Sequence, residues 1–355
     1  MFLAWQEIKR NKLRFTLITG VLMLVSYLVF FLTGLATGLA SLNRESVDKW
    51  ESTAIILTEE SDKSLYQSSM TLQDVSDVKS QETAVIAQLS AIAGNGDHKA
   101  NVSIFGINKD EFLMPNITEG RTIENANEVV ADDSIKDDGF SLGDELQLSS
   151  TDERVTIVGF TNNARFNAAP VLYSELSTFH EIRFGEAAEQ NNNRINGLVI
   201  RNDALTDITD NSELEVIETE AFIENLPGYS EQNLTLKFMI YFLFGISALI
   251  VSIFLYVLTV QKISMFGVMK AQGITNAYLS WSVTAQTFIL AAIGVTIGFL
   301  LTILTGAFLP PAVPVSFDLL TMAIYGIVLI AVANAGAVFS VLTIVRIDPL
   351  KAIGG

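Results

Sequence analysis

Four long stretches of the chain carry no charged residue, and most of the polar positions lie between the first and second of them. The uncharged runs are Phe15 to Leu42, Phe238 to Val260, Ala277 to Leu309 and Leu319 to Val345. A bilayer core of about 30 Å is crossed by roughly 20 helical residues, so each run predicts a transmembrane helix. The first is too long for a signal-peptide apolar region and no cleavage box follows it, which favours a retained span over a cleaved leader. Four spans place both termini on one side.

Between the first two spans the pattern changes to short β-type runs: Ala54 to Leu57, Val102 to Phe105, Gln147 with Leu148, Val155 to Val158 and Leu198 to Arg201. A helical stretch, Glu175 to Phe184, interrupts them. Gly94 to Asp97, Asp137 to Gly139 and Glu189 to Asn193 read as turns. The expected fold is therefore an α-helical membrane protein with four transmembrane helices and a large extracellular α+β domain inserted between helices 1 and 2. Its expected segments are a cytoplasmic amphipathic helix over 1–14, spans over 15–42, 237–260, 277–309 and 319–345, an α+β domain with stalks over 43–236, a cytoplasmic coupling loop over 261–276 and a cytoplasmic tail over 346–355.

Charge sets the orientation. Lys9, Arg10, Lys12, Arg14, Lys262, Lys270, Arg346 and Lys351 face only Glu7 and Asp348 on one side, and the other side holds the remaining 14 basic and 37 acidic residues. Positive flanks stay in the cytoplasm, so 43–236 is expected outside. Its negative charge argues against nucleic acid as a partner. Met1, Ala4, Trp5 and Ile8 share one helical face followed by basic residues, the pattern of a helix lying in the inner interface alongside membrane lipid.

The 355-residue sequence has no Cys, which excludes disulfides, thiolate nucleophiles and iron–sulfur clusters. It has no phosphate-cradling Gly-x-x-x-x-Gly-Lys-Ser/Thr loop, no Gly-x-Ser-x-Gly elbow and no His-Glu-x-x-His pair. No catalytic residue is expected. ATP hydrolysis would have to come from another chain. The Asp132, Asp133, Asp137 and Asp138 cluster lacks the ligand spacing of a calcium loop and reads as a solvated acidic surface.

The loop Gln261 to Thr275 places Ile263, Phe266, Val268 and Met269 between Lys262 and Lys270, with Gly273 as a helix stop. It reads as a short surface helix or as a coupling helix seated in a cytoplasmic partner, with Lys262, Met265, Phe266, Met269, Lys270 and Gly273 as the coupling residues. Gly34 and Gly38 form a Gly-x-x-x-Gly that serves either a dimer interface or packing within one subunit.

The order of one helix, a large outer domain and three helices resembles the MacB/FtsX-like permeases of ABC systems. So do the inner segment Val268 to Ile274, the stretch Glu128 to Ala131 through Gly143 to Leu146 to Val155 to Gly159, and the tail Ile347 to Ile353. Within that family, Gln261 to Ser264, the Ala-Gln-Gly-Ile segment and the ending Asp348 to Gly354 are most similar to the haem-efflux permeases of Gram-positive bacteria. The resemblance implies a homodimer in the plasma membrane with two cytoplasmic ABC ATPase subunits that bind the ATP. It further implies haem as the transported substrate and no permanently bound cofactor. Export of another lipophilic substrate, such as an antimicrobial peptide or lipoprotein, and FtsX-type signalling to a cell-wall hydrolase are the alternatives.

A haem site needs an apolar slot, an axial ligand and a partner for the propionates. With Cys absent and His98 and His180 expected in the domain interior, Glu45, Glu231 and Tyr229 are the candidates near the outer boundary. Glu231 or Glu45 is the expected axial ligand, because carboxylate suits ferric iron. Arg44 and Lys237 are the candidate propionate partners. No other metal is expected.

Overall fold

The computed structural model describes residues 12–80, 82–149, 151, 153–201, 211–310 and 313–346. The expected amphipathic helix over 1–14 and the tail over 346–355 lie almost entirely outside the described residues. The chain divides into two compact units, residues 40–232 and residues 1–39 with 233–355.

The first helix, α1 (Lys12–Lys49), runs seven residues past the end of its uncharged stretch, and its residues 40–49 belong to the α+β unit. The strands of that unit are β1 (Ala54–Thr58), β2 (Met70–Thr71), β3 (Thr83–Asn95), β4 (His98–Ile107), β5 (Glu119–Gly120), β6 (Glu128–Asp132) and β7 (Glu145–Leu148). They continue with β8 (Arg154–Thr161), β9 (Arg165–Phe166) and β10 (Ala169–Glu175), then α2 (Leu176–Phe184), β11 (Arg194–Ile195), β12 (Gly197–Ile200), β13 (Leu214–Glu218) and α3 (Thr219–Glu224). The sheet runs β13-β1-β12-β3-β4-β10-β6-β8-β5, and β7 pairs with both β3 and β8. That second pairing closes β3, β4, β10, β6, β8 and β7 into a ring. Pairs β4/β10 and β6/β8 are parallel, and the other pairs of the ring are antiparallel.

Alternation along β3 explains why the ring has two faces. Ala87, Leu89 and Ala91 pack with Val102, Ile104, Ile157, Phe160 and Leu172 inside it. The intervening Ile86 packs outward with Trp50, Phe105, Phe166, Tyr173 and Phe222. The many alanines inside leave the narrow bore filled without overpacking. Trp50 closes the outer layer, its ring 6.2 Å from both Phe105 and Phe222.

Two sequence expectations change here. Asp132 is not solvated: it is 1 % exposed and accepts hydrogen bonds from the Ser134 and Ala164 backbone N–H groups and the Ser134 hydroxyl. The strand β6 ends at Asp132, and its carboxylate caps the 3-10 turn that follows. Asp133, Asp137 and Asp138 are exposed as expected. His98 is not interior either but sits exposed at the start of β4, whereas His180 is buried and its Nε2–H donates to the Arg194 carbonyl at 2.7 Å.

The second unit holds α4 (Tyr229–Val260) from residue 233 onward, α5 (Ile263–Ala271), α6 (Asn276–Phe308), α7 (Leu319–Gly336) and α8 (Val338–Val345). Among the described residues, four helical segments are long and apolar enough to cross a membrane: Phe15–Lys49, Tyr229–Val260, Asn276–Phe308 and Leu319–Val345. The last is broken at Ala337 into α7 and α8. All four pack together through Phe15, Ile18, Leu22, Val251, Leu255, Leu290, Ala291, Ala333 and Ala337.

Close approach between helices depends on small residues, but the pair is not only the one the sequence singled out. A methyl at Gly34 would lie 2.6 Å from the Phe317 ring, one at Gly38 would overlap the Pro314 carbonyl, and Ser316 N–H donates to the Gly34 carbonyl at 3.0 Å. This Gly-x-x-x-Gly is therefore covered by the chain's own 314–317 segment, and the expected dimer interface at Gly34 and Gly38 is replaced by packing within one subunit. Gly294 and Gly298 do the same for α1 against α6, where a side chain would strike Leu22, Met23 and Ser26. The Ser26 hydroxyl donates to the Gly294 carbonyl at 3.3 Å across that contact.

Candidate functional site

Residues 44–49 of α1 carry the first candidates. Arg44 directs Nε to both Asp48 oxygens at 3.0 and 2.9 Å and both terminal nitrogens to Glu220 at 2.9 Å. Nη1 also donates to the Tyr229 hydroxyl at 3.3 Å. Burial alone would weaken the guanidinium charge, but Glu220, Asp48 and Tyr229 outweigh it and raise its pKa. The surrounding cleft of about 460 Å³ is lined by Asp48, Glu51, Glu218 and Glu220. A propionate entering it would meet four carboxylates around one satisfied cation. Arg44 is thus a fastener between α1, α3 and Tyr229 rather than a free propionate partner. Tyr229 is only 6 % exposed and packs with Trp50 and Phe222, so its phenol is part of the core rather than an open ligand.

Glu45, one residue on, faces a different set. It is half-buried and accepts a hydrogen bond from the Arg165 backbone N–H at 3.3 Å. Burial is the first cause that raises its pKa, and the charge of buried Asp132 is the second. Burial also lowers the pKa of Lys49, against the pull of Asp132, Asp133 and Glu45, and Lys49 Nζ donates to the Thr161 hydroxyl at 2.8 Å. Arg165 Nε donates to the Ser134 hydroxyl at 3.0 Å and lies 3.8 Å from Asp132. Glu45 is therefore held in a polar nest supplied by β6, β8 and β9, elements that sequence spacing does not connect to it. These surroundings disfavour its charge.

Glu231 lies on the exposed first turn of α4, where acid complements the helix dipole, and Lys237 is exposed further along the same helix. Among the described residues no group of three or more His, Asp or Glu side chains forms a metal cage.

The coupling segment forms the expected helix, α5, but it faces the other way. Phe266 is 3 % exposed and packs with Leu279, Val283 and Ile344, while Met269 and Ile274 flank it. Lys270 Nζ donates to the Ile344 carbonyl at 2.6 Å and the Val345 carbonyl at 3.3 Å, holding the C-terminal end of α8. Lys262 Nζ lies 5.9 Å from the Phe15 ring centre. Gly273 takes φ +92°, a left-handed turn that lets Ile274 N–H donate back to the Met269 carbonyl. Phe266, Lys270 and Lys262 thus seat α5 on its own chain, and the outward face is Met265 with Val268.

With this geometry in view, comparison with known proteins is informative. Residues 16–212 match the family model described as the MacB-like periplasmic core domain, and residues 237–349 match the FtsX-like permease C-terminal model. A protein of Staphylococcus epidermidis that carries the provisional name hemin transport system permease protein HrtB is 28 % identical, with 100 % of this chain and 99 % of that protein aligned. A Staphylococcus haemolyticus protein of the same provisional name is 24 % identical over the same shares. The periplasmic region of MacB from Actinobacillus actinomycetemcomitans superposes on 49 % of this chain and 93 % of its own, at 17 % identity and a TM-score of 0.36, too low to weigh in the argument.

Proposed function

This chain belongs to the MacB/FtsX-like family of ABC permease subunits, and on that footing we propose that it is the membrane half of a pump that takes haem from the outer leaflet and expels it. The observation that carries the reading is the end-to-end alignment, at 24–28 % identity, with three proteins provisionally named for hemin transport. Permeases of this family work with ATPase partners, and the chain has no phosphate-binding loop of its own. The α+β unit then lies outside the cell, and the termini and α5 lie inside, in keeping with the basic flanks. Two copies and two ATPase subunits make the working assembly in a Gram-positive plasma membrane.

Glu45 supports the cargo reading through its setting. A carboxylate whose charge is discouraged by burial and by Asp132 gains from a ferric centre that supplies compensating positive charge. Glu231 is the second ligand candidate, and Lys237 is the remaining propionate partner once Arg44 is committed to Asp48 and Glu220.

The test is ATPase stimulation in proteoliposomes holding this chain and its cognate ATPase. Haem is expected to raise turnover several-fold, and haem analogues without iron less so. Stimulation by lipopeptide or antimicrobial peptide with none by haem would replace the cargo. Activity indifferent to every lipophile, with hydrolase activation instead, would replace export by signalling.

A further inference from the structure

The outer face of β3 holds a polar group with an unmet hydrogen bond beside an empty space. Gln88 is 3 % exposed, its Nε2 donates to the Ser90 hydroxyl at 3.3 Å, and its Oε1 has no partner. Exchanging the amide oxygen and nitrogen moves the deficit to the other atom without removing it. Leaving such a group unpaired costs about 1–3 kcal/mol, and Leu would fill the same volume without that cost. A buried amide with no protein partner, standing beside a cavity, is positioned to be met by whatever occupies that cavity.

The space is a cavity of about 360 Å³, within the range of small-molecule sites. Alternation along β3 sends Ile86, Gln88 and Ser90 to the side away from the ring interior, the side on which Phe166, Phe222, Leu65 and Leu226 form an apolar wall. Lys63 and Tyr66 stand at the rim. Lys63 keeps a long 3.8 Å ion pair with Glu215 and takes φ +61°, a strained value for a long side chain, next to Asp62 at +48°. Among the described residues no carboxylate lines the cavity, although the segment 43–236 carries 36 acidic residues against 13 basic ones. The cavity is thus a slot with an apolar wall, one cation, the amides of Gln67, Gln88, Asn167 and Asn225 around it, and no carboxylate, and of those amides Gln88 is the one with a buried atom left unpaired.

We propose that this cavity in the α+β unit binds a small ring compound that is neutral or anionic and gives a hydrogen bond to Gln88. An aromatic monocarboxylate meets all three conditions: the ring packs on Phe166, Phe222 and Leu226, a ring N–H or O–H donates to Oε1, and the carboxylate meets Lys63. The site lies wholly within the α+β unit and is separate from the cargo reading, so it stands or falls independently.

Indole-3-acetate and tryptamine test it, because they share the ring and the N–H donor and differ in the sign of their charge. Saturation-transfer NMR on the full chain in detergent micelles reads binding of each probe, with empty micelles as the blank. The expected result is saturable binding of indole-3-acetate and at least tenfold weaker binding of tryptamine. Gln88→Leu is expected to weaken indole-3-acetate at least tenfold while leaving the unfolding temperature equal or higher, and Ser90→Trp, on an exposed position, to fill the cavity and abolish binding. Equal binding of the two probes, no saturable binding of indole-3-acetate at millimolar concentration, parent-like binding by Gln88→Leu, or a lowered unfolding temperature in that variant would each overturn the proposal.

Discussion

Glu45 and Glu128 are both shielded carboxylates, yet their neighbours push them in opposite directions. Glu128 is clasped by Arg121 at 2.7 and 2.5 Å and receives the backbone N–H groups of Glu124 and Asn125, so its pKa falls far below the usual carboxylate range. A lowered folded-state value means that its stabilisation is complete above the unfolded value of about 4.3 and is lost as pH falls through the folded one. Glu128→Gln should therefore lower the unfolding temperature by a few degrees at pH 7, with the gap to the parent closing on acidification. Glu45 has the reverse sign: its folded value is raised, so the ionised form weakens the fold once pH exceeds that value. Glu45→Gln should be as stable as the parent or more so at pH 7 without haem, with the difference vanishing toward pH 4; a clear loss of stability at pH 7 would make Glu45 a structural residue. Counting from the end of an uncharged run singles out Glu45 as a candidate. Its partners Asp132 and Arg165 were hidden because they arrive from 87 and 120 residues away, and Asp132 stands beside three truly solvated aspartates that share its local sequence.

Elements were legible where one local period decides them. The four spans follow from uncharged runs, and β1, β4, β8 and β12 from apolar stretches, because both signals need only adjacent residues. Closure of the ring was not legible: Gln147 with Leu148 reads as a β run, but no local signal says that this strand, β7, pairs with both β3 and β8. The facing of α5 was misjudged for a related reason: in a segment whose residues are nearly all apolar, periodicity does not say which side finds Leu279 and Ile344. That correction changes the coupling test. Phe266→Ala should cost about 3–5 kcal/mol of stability as a buried aromatic deletion, so loss of activity there would say nothing about docking. Met265→Asp with Val268→Asp changes two outward residues instead and should abolish ATPase stimulation while leaving the unfolding temperature within a few degrees of the parent. Full stimulation in that double variant would place the docking surface elsewhere.

For the molecule as a whole, the charge partition predicts an outer α+β unit and an inner α5, and protease accessibility checks it. Trypsin added to intact protoplasts should cut only within 43–236, and cleavage at Lys262 or Lys270 from outside would invert the topology. The central claim is that this permease carries haem through carboxylates and not histidines: His180 is spent on the Arg194 carbonyl, and the measurement below decides between the glutamates and His98, which is exposed at the start of β4. Titration of ferric haem into the full chain in lipid nanodiscs, followed by Soret absorbance against empty nanodiscs, tests it most directly. A saturable Soret shift is expected in the parent, in His98→Ala and in His180→Gln, and its loss is expected in the Glu45→Ala, Glu231→Ala double variant. No saturable shift in the parent, or a shift abolished by a histidine variant and unchanged by the double glutamate variant, would contradict the account.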